Sequence, residues 1–414
     1  MRVLGLIVEY NPFHNGHLYH LRESQKKVQP DFTLAVMSGN FVQRGEPALV
    51  NKWARAEMAL QAGVDLVLEL PFVFATASAM HFAQGAVSIL HQTGVVTHLC
   101  FGSEAGSLEL LEKVVPVLNE EPPPFREKLK AFLKEGLSLP AARAKALTSL
   151  WPDGEEREKL ASLLKSPNNI LAVEYLRALH HLESPIIPLT IPRLKAGYHD
   201  LLPVDGIASA TAFRHLWEKE KGALPSPSLQ NLVPVSTWHI LRREVEAGRA
   251  PVFPEKLAPL ALSRLRLTPA EELSSLPDME PGLEKRLKNA ASHATSYREL
   301  VALARSRRCP ATRIQRLLLH LLFSLKNEEA TQFYQSGPLY LRVLGFNQKG
   351  QKLLKVIRAR SSLPLLQMLD RRHRLTPYWS MLRYDVMATD LYNLLLPQPA
   401  KGGNDFTRPP VIVA

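Results

Sequence analysis

The segment VEYNPFHNGHLYHL, residues 8–21, decides how this chain is read. The apolar run before it, beginning at Val3, reads as a β-strand that ends at Glu9. Asn11-Pro12 reads as a backbone turn, and Gly16 opens a helix. His14 and His17 then stand three residues apart at the carboxyl end of a first strand, beside a helix amino terminus. Open α/β sheets bind ligands there, and unpaired backbone N–H groups at that point favour phosphate. Imidazole N–H donors can follow charge that develops on a transferring phosphate, while Gly16 lets a nucleotide approach the backbone.

Outward from this turn, short apolar runs alternate with helical patterns. Strands are expected at Phe32–Met37, Asp65–Leu70, Val96–Phe101 and Ile186–Leu189. Helices are expected at Leu18–Lys26, Lys52–Ala62, Met80–Gln92 and Asn169–His181, with a helix-rich charged insertion over 105–165. This alternation predicts an α/β fold with a Rossmann-like parallel sheet and right-handed crossovers. The Pro-containing stretch Gly222–Val235 is the best boundary, and the patterns beyond it are mostly helical. Two domains follow: 1–225, carrying the sheet, and 226–414, mainly α-helical.

Charge divides the chain at the same place. Of 51 basic and 39 acidic side chains, residues 1–225 carry 23 and 24, whereas residues 226–414 carry 28 and 15. A neutral half joined to a strongly basic half suggests a catalytic module with a polyanion-binding module. The densest basic passages are Arg305 to Arg316, then Lys349, Lys352, Lys355 and Arg358 at every third position, then Arg371 to Arg374. Nucleic acid fits these clusters better than an anionic membrane, because they lack the aromatic apolar face of an interfacial helix. Two cysteines in 414 residues make no disulfide framework and fit a reducing cytoplasm. The amino terminus reads as a strand rather than a signal peptide, and the apolar stretch Val64–Ala79 is broken by Asp65, Glu69 and Pro71.

The H-x-G-H after the first strand resembles the signature of nucleotidylyltransferases and class I aminoacyl-tRNA synthetases. The longer text GLIVEYNPFHNGHLYH is joined by SGNFVQRGEPA at 38–48, FGSE at 101–104 and SPNNIL at 166–171. IPRLKAGYHD at 191–200, SATAFR at 209–214 and the DFTRPPVIV tail at 405–413 complete the set. Together they are similar to one family, the bacterial tRNA(Met) cytidine acetate ligases, over nearly the whole chain. The resemblance implies ATP-dependent activation of acetate to acetyl-adenylate. Acetyl transfer to N4 of the wobble cytidine of elongator tRNA(Met) then gives N4-acetylcytidine. It implies a nucleotidylyltransferase-like ATP-binding domain over 1–225 and a tRNA-binding domain over 226–414.

By the same carry-over, ATP lies on Ile7, Val8, Glu9, Tyr10, Asn11, Pro12, Phe13, His14, Asn15, Gly16, His17, Leu18, Tyr19 and His20. Gly102, Asn168, Arg193, Ser209, Thr211 and Arg214 complete the nucleotide site, and His14, His17 and Arg193 are the catalytic set. Physically, an arginine such as Arg44 at the second strand's end can hold an anion in a bidentate fork. Either Asn168 or Asn169 should cap a helix. Ser209, Thr211 and Arg214 resemble the phosphate-binding signature that stabilises departing pyrophosphate. His199 and Asp200 read equally as a catalytic pair or as a turn. No carboxylate cluster marks protein ligands for a metal, and Mg²⁺ is expected with the ATP phosphates. The partners are elongator tRNA(Met), acetate and ATP, with neither a membrane nor DNA, in the cytoplasm. Two other readings use the same residues: a small-molecule adenylyltransferase and a non-catalytic tRNA-binding protein. The basic second half argues against the first, and the intact H-x-G-H, Arg193 and SATAFR argue against the second.

Overall fold

The computed structural model describes residues 1–104, 106–164, 166–192, 209–220 and 226–414. Among them run strands β1 (Val3–Val8), β2 (Phe32–Ser38), β3 (Phe41–Val42), β4 (Glu46–Pro47) and β5 (Leu66–Leu70). They are followed by β6 (His98–Ser103), β7 (Ile187–Pro192), β8 (Leu341–Phe346), β9 (Leu365–Leu366) and β10 (Val411–Ile412). Eight of them form one sheet in the order β10-β8-β5-β2-β1-β6-β7, with β9 also on β8. The strands β5, β2, β1, β6 and β7 run parallel, so their carboxyl ends share one edge. The short ribbon β3–β4 stands at that edge, directly after β2.

Parallel strands are covered on both faces and so read as continuous apolar runs. Alternation inside β2 shows the two faces: Leu34 and Val36 join one core cluster, Ala35 and Met37 the other. Both clusters draw residues from before and after position 225. Beyond residue 226 the chain is mainly helical, as expected, but β8 returns to pair antiparallel with β5, and β10 extends the sheet beyond β8. The division at 225/226 is therefore one of charge, while sheet and core are continuous across it. No helix among the described residues is long and apolar enough to cross a membrane.

A buried ionic network ties this returning chain to the sheet edge. Lys52 Nζ lies 2.9 Å from Glu69 Oε1 and 2.9 Å from Asp405 Oδ1. Arg342 completes the ring, with Nε 3.3 Å from Glu69 Oε2 and Nη2 2.6 Å from Asp405 Oδ1. Two cations and two anions make the ring neutral, which is the condition for burying charge at tolerable cost. Gly39 rests directly on it: a Cβ there would lie 2.5 Å from Glu69 Oε1. Glycine at 39 is thus a matter of space.

Candidate functional site

The first turn is fixed by its own histidines. The helix Asn15–Val28 begins one residue before Gly16, because His14 caps it. Gly16 N–H donates to His14 Nδ1 at 3.0 Å, and His14 N–H donates to His17 Nδ1 at 3.3 Å. This is a capping box built from imidazoles in place of Ser and Glu. Accepting at Nδ1 leaves Nε2 as the nitrogen that carries hydrogen in each neutral ring. The two rings stack at 3.7 Å, and Tyr10 meets His17 edge-on at 5.0 Å. Both imidazoles are therefore held as oriented Nε2–H donors.

Below the turn, Arg55 gathers the strand ends. Its fully buried guanidinium donates to Glu9 O at 2.6 Å, Ser38 O at 3.0 Å, Val50 O at 3.2 Å and also Gly39 O. Burial lowers its pKa to about 10, partly opposed by Tyr392, Glu9 and Glu69. It stays charged at neutral pH and places a fixed positive charge under the strand edge. Arg214 performs a second closure, donating to Asn11 O at 3.0 Å, with Glu46 at 3.7 Å. The helix Ala210–Lys219 is capped by Ser209, whose Oγ accepts Ala212 N–H at 3.1 Å. Two helix amino termini, at His14 and Ser209, thus meet at one sheet edge and direct positive dipole ends there.

A cavity of about 270 Å³ opens at this edge. His14, Gly16, His17, Tyr19 and His20 line it together with Ile7, Val8, Glu9, Tyr10 and Asn11. Gly102, Asn168, Ser209, Thr211 and Arg214 line it from the later motifs. The residues expected at the nucleotide site are thus brought together, with exceptions. Pro12, Phe13, Asn15 and Leu18 are not on the wall; Phe13 is buried against Tyr10 and His17. Asn15 turns away to donate to Asn231 O at 2.8 Å, and its backbone bonds Leu232 O. Arg193, His199 and Asp200 lie outside the described residues.

Neither Asn168 nor Asn169 is the cap of its helix; Ser166 takes that place. Both asparagines instead meet Glu104, at the end of FGSE. Asn168 Nδ2 donates to Glu104 Oε1 at 2.6 Å, and Glu104 N–H donates to Asn169 Oδ1 at 3.0 Å. This exchange fixes β6 to the helix Pro167–His181 beside Gly102. The wall also holds residues that sequence motifs did not single out as ligands: Phe82, Phe101, Leu171, Tyr175 and Ile191 form an apolar side. Apolar side chains carry no chemical signature, so only the fold reveals them. Gln43 and Arg44 also reach the cavity from the β3–β4 ribbon. Gly45 in that ribbon, at φ +78°, admits the backbone of Arg316 where a Cβ would collide. The helix Ala311–Leu322 is thereby seated on the cavity lip, and Gln315 bonds Glu46 at 2.9 Å.

Glu9 is the single acidic residue on the wall among the described residues. Its Oε1 accepts Gln43 N–H at 2.7 Å and the Ser38 hydroxyl at 3.4 Å. Burial pushes this carboxyl above its ordinary range, opposed by the Gln43 N–H and by Arg44, Arg55 and Arg214. No group of three or more potential metal ligands occurs among the described residues.

The HIGH Nucleotidyl Transferase family matches residues 1–405. The tRNA(Met) cytidine acetate ligase of Syntrophomonas wolfei is 44% identical over 427 residues, covering 99% of each chain. That of Acetivibrio thermocellus is 43% identical over 418 residues, covering both chains completely. Thermotoga maritima TmcAL bound with alpha-thio ATP superposes with a TM-score of 0.92 at 38% identity, over 100% of both chains.

Proposed function

Since this chain belongs to the tRNA(Met) cytidine acetate ligases within the HIGH nucleotidyl transferases, we propose that it activates acetate with ATP and acetylates N4 of the wobble cytidine of elongator tRNA(Met). The observation that carries this is the pair of imidazoles locked as Nε2–H donors between two helix amino termini, on the wall of the cavity. An acetate oxygen attacks the α-phosphorus of ATP as pyrophosphate departs. The mixed anhydride then acylates the cytosine amine. His14, His17, Arg214 and the helix at Ser209 stabilise charge spreading over the phosphates, with Arg193 as the further catalytic cation. Positioning and electrostatics do most of this work.

Mg²⁺ fits as a companion of the phosphates rather than as a protein-held ion. The one carboxylate on the wall is surrounded by Arg44, Arg55 and Arg214, which disfavours a divalent cation there. The apolar side at Phe82, Leu171 and Tyr175 excludes water from a hydrolysable intermediate.

The basic half delivers the RNA, and its clusters differ in place. Arg307 and Arg308 are exposed and precede the helix seated on the cavity lip. Lys349 shares a surface depression with Asp31, Thr33 and Asp65, where strands begin, at the opposite end of the sheet. Neutralising Arg307 and Arg308 is expected to weaken tRNA binding and flatten its salt dependence by roughly 0.7–0.9 per lost phosphate contact. Lys352→Gln with Lys355→Gln is the comparison, and an equal or larger effect there would place the RNA on the other end. The decisive test is nucleoside mass spectrometry of bulk tRNA incubated with the protein, ATP and labelled acetate. Label in N4-acetylcytidine of elongator tRNA(Met) is expected. Pyrophosphate release without labelled tRNA would favour a small-molecule adenylyltransferase.

A further inference from the structure

We propose that Glu9 receives the amine of the target cytosine and takes its proton during acyl transfer, a role that rests on the acetate-ligase reading above. The chemistry demands such a group. The N4 lone pair is delocalised into the ring, so attack on the acetyl carbon makes a cationic nitrogen that must lose a proton. The N4–C bond forms and the C–O bond to AMP breaks, with its electron pair leaving on the AMP phosphate oxygen. One N4 proton passes to Glu9 and then to solvent as products leave.

Three observations converge on this carboxylate. It stands at the carboxyl end of β1, on the wall it shares with His14 and His17, so it faces the same space as the activated acyl group. Its hydrogen bonding is polarised: Gln43 N–H and the Ser38 hydroxyl both hold Oε1, which leaves Oε2 for the cavity. None of the surrounding arginines forms an ion pair with it among the described residues: Arg55 spends its donors on backbone carbonyls and Arg214 donates to Asn11 O. An acid beside a phosphate site repels ATP and needs a compensating role. A carboxylate is the side chain that accepts from cytosine N4–H, and it repels the O4 of uracil. Burial raises its affinity for a proton above that of an ordinary carboxylate, which strengthens it as a base.

The test separates the two steps in the full-length protein with elongator tRNA(Met). Glu9→Gln keeps an oxygen for Gln43 N–H but accepts no proton. Acetate-dependent ATP–pyrophosphate exchange reads the first step, and single-turnover transfer from preformed acetyl-adenylate reads the second. Transfer is expected to fall by about 10²-fold or more, with exchange changed less than about tenfold and the KM for tRNA nearly constant. Wild-type transfer should rise with pH as Glu9 deprotonates, and E9Q should lose that component while Glu9→Asp keeps it. The other titratable or charged groups on that wall or acting on Glu9 are His14, His17, His20, Tyr10 and Tyr19 from the turn and its helix, Arg44 from the ribbon, Arg55 below, Tyr175 from the helix Pro167–His181 and Arg214. All of them remain in E9Q, so a pH component that survives belongs to them and overturns the proposal. Equal loss of exchange and transfer would also overturn it, placing Glu9 in ATP or Mg²⁺ binding. Failure of the wild-type protein to catalyse exchange would instead sink the acetate-ligase reading itself.

Discussion

His17→Ala is expected to lower acetate-dependent pyrophosphate exchange by about 10²–10³-fold, the loss that follows removal of one preorganised donor at a site of developing charge. The His17 ring earns this weight through its constraints. Its Nδ1 is held by the His14 N–H, one face stacks on His14, and Tyr10 presses on it edge-on. Nε2–H is then aimed before ATP arrives, and little reorganisation remains to be done. The substitution also removes half of the capping box, which costs about 1 kcal/mol of stability. His17→Gln distinguishes these effects, because Gln at this helix position restores an acceptor for the His14 N–H. Thermal stability should recover in His17→Gln while exchange stays low. Affinity for tRNA should hold in both variants; a fall as deep as that in exchange would show that binding and chemistry are not divided between the two ends of the chain.

Lys52→Met should cost about 3–5 kcal/mol of stability, the loss that follows removal of one partner from a buried ionic ring. Lys52 is wholly buried, and its removal leaves Glu69 and Asp405 sharing Arg342 alone. Exposed pairs offer the contrast. Lys159 and Glu155 lie 2.6 Å apart with both side chains mostly in solvent, and Lys159→Met should shift the midpoint hardly at all. Combining Lys52→Met with Asp405→Asn restores neutrality, so the double variant should be less destabilised than the two single losses added together. Thermal and urea unfolding of all four proteins measure this. A midpoint for Lys52→Met equal to that of the parent would remove the ring from the account of stability.

Much of the sheet was readable because β1, β2, β5, β6 and β7 are apolar runs separated by helical patterns, and the H-x-G-H turn announced which edge carries the chemistry. β8 was not. Its sequence LRVLGF carries a cation at its second position, and Arg342 makes sense only beside Glu69 and Asp405, neither of which is near it in sequence. The cap of the helix Asn15–Val28 was not legible for a related reason: histidine is an uncommon cap, so His14 was read for its chemistry when it also makes the structure. Asn168 and Asn169 were placed in the right motif with the wrong local task, since their partner Glu104 arrives through the pairing of two distant segments. Periodicity reports a residue's own element. It is silent about which remote element comes to meet it.

The anchoring of Asp405 has a consequence for biogenesis. Lys52 and Arg342 share Glu69, but the second anion they need is supplied by residue 405, which is synthesised after both of them. A product terminated before that anion leaves two cations to share Glu69 alone and lacks the outermost strand of the sheet. Such fragments would be poorly folded and readily degraded, so a half-made sheet does not persist beside the complete one.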